Sequence, residues 1–105
     1  MITEFNGEFL TDDTIVSEEL SFKRIDDPSV LPGRISTEKT VYVVPSLSAD
    51  FFLLFPTARA IVTTAGSPLS HLAILAREHN IPVFLAQNVD LNSLDSEGRC
   101  TLIAQ

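Results

Sequence analysis

The stretch Thr63-Thr64-Ala65-Gly66-Ser67-Pro68-Leu69-Ser70-His71 gathers the side chains of this chain best suited to chemistry. It reads as a strand end, a glycine turn and a helix start with hydroxyls and an imidazole in its first turn. N–H groups at a helix start have no intrahelical partner and carry partial positive charge, so together they suit an anion such as phosphate. The same dipole disfavours a cationic imidazole, and the neutral ring is the nucleophilic form. A phosphoryl group accepted by His71 would place its negative charge where the helix start and the hydroxyls favour it. From Phe51 to Arg77 there is no Asp or Glu to repel it. The plainer alternative is a strand-to-helix turn in which Ser67 caps the helix and His71 is a half-buried polar residue.

That acid-free stretch lies in an acidic chain. Its 105 residues hold 14 acids and 7 bases, a net charge of −7. Ten of the acids fall in residues 1–50 and four in residues 51–105. Such a balance argues against nucleic acid or a membrane surface as partner, since both need cationic protein surface. A hydrophobic content of 45% with 20% charged residues is ordinary globular usage. The one cysteine, Cys100, excludes an intrachain disulfide and a cysteine metal cage, so no metal site is expected in this chain. Met1-Ile2-Thr3-Glu4 does not read as a signal peptide, and the apolar run Phe51 to Pro56 is too short to span a bilayer. The expected location is cytoplasmic. A single domain of this length has little room for both a substrate pocket and a catalytic apparatus, so a working enzyme would draw on other domains.

The elements that must position His71 are legible in outline. Asn6-Gly7, flanked by apolar residues, predicts a hairpin over Ile2 to Leu10. Asp12 to Phe22 reads as a short, weakly patterned helix, and Asp26-Asp27-Pro28 with Leu31-Pro32-Gly33 as a loop. Thr40 to Val44, Ala60 to Thr63 and Val83 to Ala86 read as short buried strands, and Arg99 to Ile103 as a terminal strand. Between the first two strands, Ser48 is a candidate N-cap and Pro56 a stop for a helix over 49–55. Ser67 as cap and Pro68 as first residue open a helix from Leu69 to His79, ending at Asn80. The alternation predicts an α/β domain with a central, mostly parallel sheet, flanking helices and added N-terminal hairpin strands.

Ile61 to Phe84 also resembles the signature of the phosphohistidine, or swivelling, mobile domain of phosphoenolpyruvate (PEP)-utilising enzymes. That family includes PEP synthase, pyruvate phosphate dikinase, enzyme I of the sugar phosphotransferase system and rifampin phosphotransferase. Thr63, Gly66, Ser70, His71, Ala73, Ile74, Ala76, Arg77, Glu78, Ile81 and Pro82 match its pattern in register. Ser67 stands where the family has a second glycine, Leu69 where many members have Thr, and Leu72 at a position that is often small. Leu-Ser-His is closest to the PEP synthase and rifampin phosphotransferase branch.

The resemblance implies a β/β/α mobile domain over residues 33–105, with residues 1–32 as an N-terminal extension packed on it or leading into it. It implies a phosphoryl carrier in which His71 is the phosphorylated residue. Thr63, Gly66, Ser67 and Ser70 would cradle the phosphate; Arg77 would either support them or pair structurally. It further implies partners, in cis or in trans: an ATP-grasp nucleotide-binding domain and a PEP/pyruvate or other acceptor domain. Those partners would hold ATP or PEP and Mg²⁺, and this chain would be a component of a phosphotransferase, inactive alone. The competing implication is a docking or regulatory module that keeps the fold without phosphorylation. Ser67 and Leu69 favour that module; the intact Ser70-His71 and Ala-Arg-Glu helix favour the carrier.

Other reactive types have structural readings. His79 lies about 80° round the helix from His71, so the two do not form a metal pair. It reads as a helix C-terminal residue, Glu78 as a solvated or ion-paired carboxylate and Arg59 as a surface charge. Phe51, Phe52 and Phe55 read as core residues, and Cys100 as a small apolar one.

Overall fold

The structure, a computed structural model, describes residues 2–11, 19–27 and 39–104. Six strands carry the fold: β1 (Ile2–Phe9), β2 (Leu20–Arg24), β3 (Thr40–Val44), β4 (Ala58–Thr63), β5 (Val83–Ala86) and β6 (Glu97–Ala104). A 3₁₀ segment, Ala49–Thr57, joins β3 to β4, and the helix α1 (His71–Glu78) joins β4 to β5. The strands close into a barrel in the order β1-β5-β4-β3-β2-β6. Pairing is parallel for β2 with β3, β3 with β4, β4 with β5 and β1 with β6. It is antiparallel where β1 meets β5 and β2 meets β6. The fold is thus a small mixed α/β fold with little helix, whose sheet closes into a barrel where a central sheet with flanking helices was expected.

Two cores follow from the two-residue period of the strands. Val41 and Val43, Ala60 and Val62, and Phe84 and Ala86 point into the barrel, where they meet Phe5, Phe22, Cys100 and Leu102. Phe5 and Phe22 pack edge to face, with ring centroids 5.6 Å apart. The alternate residues Tyr42, Val44, Ile61 and Val83 face outward and are covered by Phe51, Leu54 and Phe55 of the 3₁₀ segment and by Leu72, Ala73 and Ala76 of α1. Strands buried on both faces read as continuous apolar runs, which is why Thr40 to Val44 showed no alternation.

Three sequence expectations are corrected. Asn6-Gly7 does not turn a hairpin: β1 runs unbroken through both residues. Gly7 is needed because a β-carbon there would lie 1.8 Å from the Leu85 carbonyl oxygen, so the glycine permits close approach of β5. Leu20 to Phe22 belongs to a strand, while 12–18 of the expected helix lie outside the described residues, as does the expected loop from residue 28 onwards. The segment after Ser48 is 3₁₀ and Pro56 sits inside its last turn; Ser48 makes no side-chain capping bond. Among the described residues, no helix is long and apolar enough to cross a membrane.

Candidate functional site

β4 delivers the chain to the turn before α1. Thr63, fully buried at the strand end, donates its hydroxyl to the Ala65 carbonyl oxygen at 2.8 Å and accepts the Ala65 N–H at 3.2 Å. The hydroxyl is spent on its own turn. Thr63 thus braces the turn from within, buried beneath the exposed residues 65–69.

Gly66 follows with φ +151°, a conformation that L side chains rarely adopt. A β-carbon on it would stand 2.5 Å from Leu47 Cδ1 and 2.7 Å from Leu47 Cγ. Leu47, just beyond β3 and nearly buried, supports the turn from below. It lies nineteen positions away, and nothing in the sequence pattern signals it.

Residues 67–70 close a turn of their own. The Ser70 N–H donates to the Ser67 carbonyl oxygen at 3.0 Å. The Ser67 N–H donates to Ser70 Oγ at 3.1 Å, and the Leu69 N–H donates to Ser67 Oγ at 3.2 Å. Pro68 occupies the second position of this turn, where its fixed φ is favoured. Hence α1 begins at His71 and not at Pro68, with Ser70 as N-cap. Because its hydroxyl accepts from Ser67, Ser70 makes no side-chain cap bond to the first turn of α1. The N–H groups at the helix start keep their capacity for an anion. Each serine Oγ already accepts a hydrogen bond and retains its O–H as a donor.

His71 is the first residue of α1 and is exposed; Gly66, Ser67 and Leu69 beside it are exposed as well. Leu69, at 82% exposure, presents an apolar side chain next to the imidazole. The structure thus brings Gly66, Ser67, Ser70 and His71 together in one surface turn. Arg77 is not among them. Its Nη2 donates to the Leu10 carbonyl oxygen at 2.8 Å, tying the far end of α1 to the end of β1. Six residues along the helix put it about 9 Å of rise from His71, and its charge is engaged there.

The other end of α1 is held by backbone geometry. Asn80 adopts φ +57°, the Asn80 N–H donates to the Arg77 carbonyl oxygen, and the Ile81 N–H donates to that of Ala76. These are the two bonds of a Schellman stop, with Asn where glycine is commonest. The His79 ring lies against Phe55, centroids 5.5 Å apart. Among the described residues, no group of three or more His, Cys, Asp or Glu side chains could hold a metal ion.

Residues 36–101, more than half of the chain, match the family model described as PEP-utilising enzyme, mobile domain. No curated protein and no solved structure matches the chain.

Proposed function

The chain belongs to the PEP-utilising enzyme mobile-domain family, and from that premise we propose that it is a phosphoryl carrier of the PEP synthase or rifampin phosphotransferase branch. His71 is transiently phosphorylated. It moves the group between a nucleotide site and a PEP/pyruvate or other acceptor site, both on partner domains. The observation that carries this reading is the exposed imidazole at the first position of α1, set among uncapped N–H groups and the donor hydroxyls of Ser67 and Ser70.

In the loading step a ring nitrogen of neutral His71 attacks phosphorus. The N–P bond forms as the bond to the donor oxygen breaks, and the donor keeps that electron pair. Delivery reverses the exchange towards an acceptor oxygen. Such transfer demands positioning and charge neutralisation more than covalent machinery. The helix start and the serine hydroxyls supply part of that neutralisation, and the stretch from Phe51 to Arg77 adds no carboxylate against it. Thr63, Gly66 and Leu47 fix the turn that presents the ring. ATP or PEP, with Mg²⁺, is assigned to the partner domains, and exposed Leu69 offers them an apolar contact beside the reacting atom.

The test is to mix the chain with a nucleotide-binding partner domain and ATP, or with a PEP-binding one and PEP. One acid-labile phosphoryl group per chain is expected, and none on His71→Ala. Absence of labelling with a partner that phosphorylates another member of the family would refute the carrier reading.

A further inference from the structure

Of the large apolar side chains among the described residues, Leu69 is the most exposed, at 82%; the next, Phe52, reaches 50%. That exposure is built into the backbone. Ser67 to Ser70 form a turn closed by the Ser70 N–H on the Ser67 carbonyl oxygen, and Leu69 is its third residue. The Leu69 N–H donates to Ser67 Oγ, which ties the corner down. Turn corners favour Gly, Pro, Asn, Asp and Ser on local grounds, so turn chemistry gives no reason for a leucine here. Burial gives none either.

A second apolar side chain flanks the imidazole from the helix side. His71 and Ile74 are three positions apart on α1, the spacing that makes side chains neighbours on a helix surface. Ile74 is 41% exposed, while Leu72, Ala73 and Ala76 of the same helix are buried in the outer core. The exposed ring thus has one apolar side chain on the turn before it and another on the helix after it. In-line transfer brings phosphorus to about 3–3.5 Å from the attacking nitrogen. A protein that holds the donor at that distance covers the surface around the ring, positions 69 and 74 included.

On the carrier reading, on which this inference rests, we propose that Leu69 and Ile74 are the docking contact for the partner domain that phosphorylates His71, and that this domain surrounds its phosphoryl site with an apolar rim. Burial of the two side chains drives association and orients the ring; neither takes part in the exchange of bonds at phosphorus. Binding energy from groups remote from the reacting atoms serves in this way to position them. A patch of two side chains beside one ring is small, as suits a contact that must release after each transfer.

The experiment measures the initial rate of His71 phosphorylation in the full chain against the concentration of the partner domain, at saturating ATP or PEP. Phosphoramidate, a small donor that needs no docking, is run in parallel. Leu69→Ser should raise the KM for the partner domain about tenfold, the scale expected for loss of a buried leucine. Its kcat should stay within about twofold of the parent, the signature of lost uniform binding. Ile74→Gln should move KM in the same direction, and Leu69→Met should keep the parent value. Leu53→Ser removes a half-exposed leucine that sits beside His79 and Ile81 at the far end of α1, and should leave KM unchanged. Phosphoramidate should label His71 in the parent and in every variant at the same rate, which shows that each is folded with its imidazole reachable. A parent that the partner domain fails to label would remove the carrier reading, and this inference with it. A labelled parent with Leu69→Ser at the parent KM, or with Leu53→Ser raising KM as far as Leu69→Ser, would overturn this inference alone.

Discussion

A valine at residue 66 would have to adopt φ near +151° and push Leu47 aside, since even a β-carbon meets that side chain at 2.5 Å. The turn is exposed, and Leu47 beneath it lies at the margin of the outer core, so the strain falls on the loop that presents His71 and on that one core contact, leaving the barrel interior untouched. Gly66→Val should slow phosphoryl transfer to His71 by about tenfold or more, the scale on which small misplacements of reacting groups act. Its thermal midpoint should stay within about 5 °C of the parent, as for loss of ~1 kcal/mol in a domain of this size. Paired rates of labelling and melting curves check this; an unchanged rate would mean that the turn's geometry does not matter to transfer. Thr63 and Arg77 share the motif with His71, and their hydrogen bonds close the turn at Ala65 and tie α1 to Leu10.

At the scale of elements, α1 is short and depends on its ends. Asn80 holds φ +57° in the Schellman stop, where a β-branched residue would be strained by about 1–2 kcal/mol. Asn80→Val should lose stability on that scale in urea unfolding, and Asn80→Gly should match or exceed the parent; equal losses in both would contradict the assignment. The stop at Asn80 was legible because Asn followed by Ile81-Pro82 is a local signal, and so were the β-branched cores of β3, β4 and β5. The start of α1 was not. Ser67-Pro68 fits a helix start equally well, and only the paired bonds between Ser67 and Ser70 divert it into a separate turn. Asn6-Gly7 misled for a similar reason. A glycine that permits a turn also permits close approach of strands, and the Leu85 carbonyl that demands it lies far away in sequence. In the candidate site, Ser70, His71 and Gly66 could be read from the motif. Leu47 could not, because its contact with Gly66 exists only once β3 and β4 pair.

At the scale of the whole molecule, closure of the barrel makes β1 and β6 neighbours and buries Cys100 among Phe5, Phe22 and Leu102. Burial pushes its thiol from 9.0 up to about 12, against a smaller opposing effect of Arg99. Below pH 9.0 the thiol is protonated in both folded and unfolded chains. As pH rises from there towards about 12, the unfolded chain releases this proton and the folded chain keeps it, so stability falls. Cys100→Ala should therefore show a shallower alkaline loss of stability than the parent over that range; parallel curves would place the thiol in contact with solvent. The same closed barrel leaves the turn at His71 exposed on its surface, as the proposed carrier role requires. The most direct measurement is intact-mass analysis of the parent and His71→Ala after incubation with a competent partner domain and ATP or PEP. The expected result is one acid-labile phosphoryl group on the parent and none on the variant. Equal labelling of both, or labelling of neither, would contradict the assignment of His71 as the carrier.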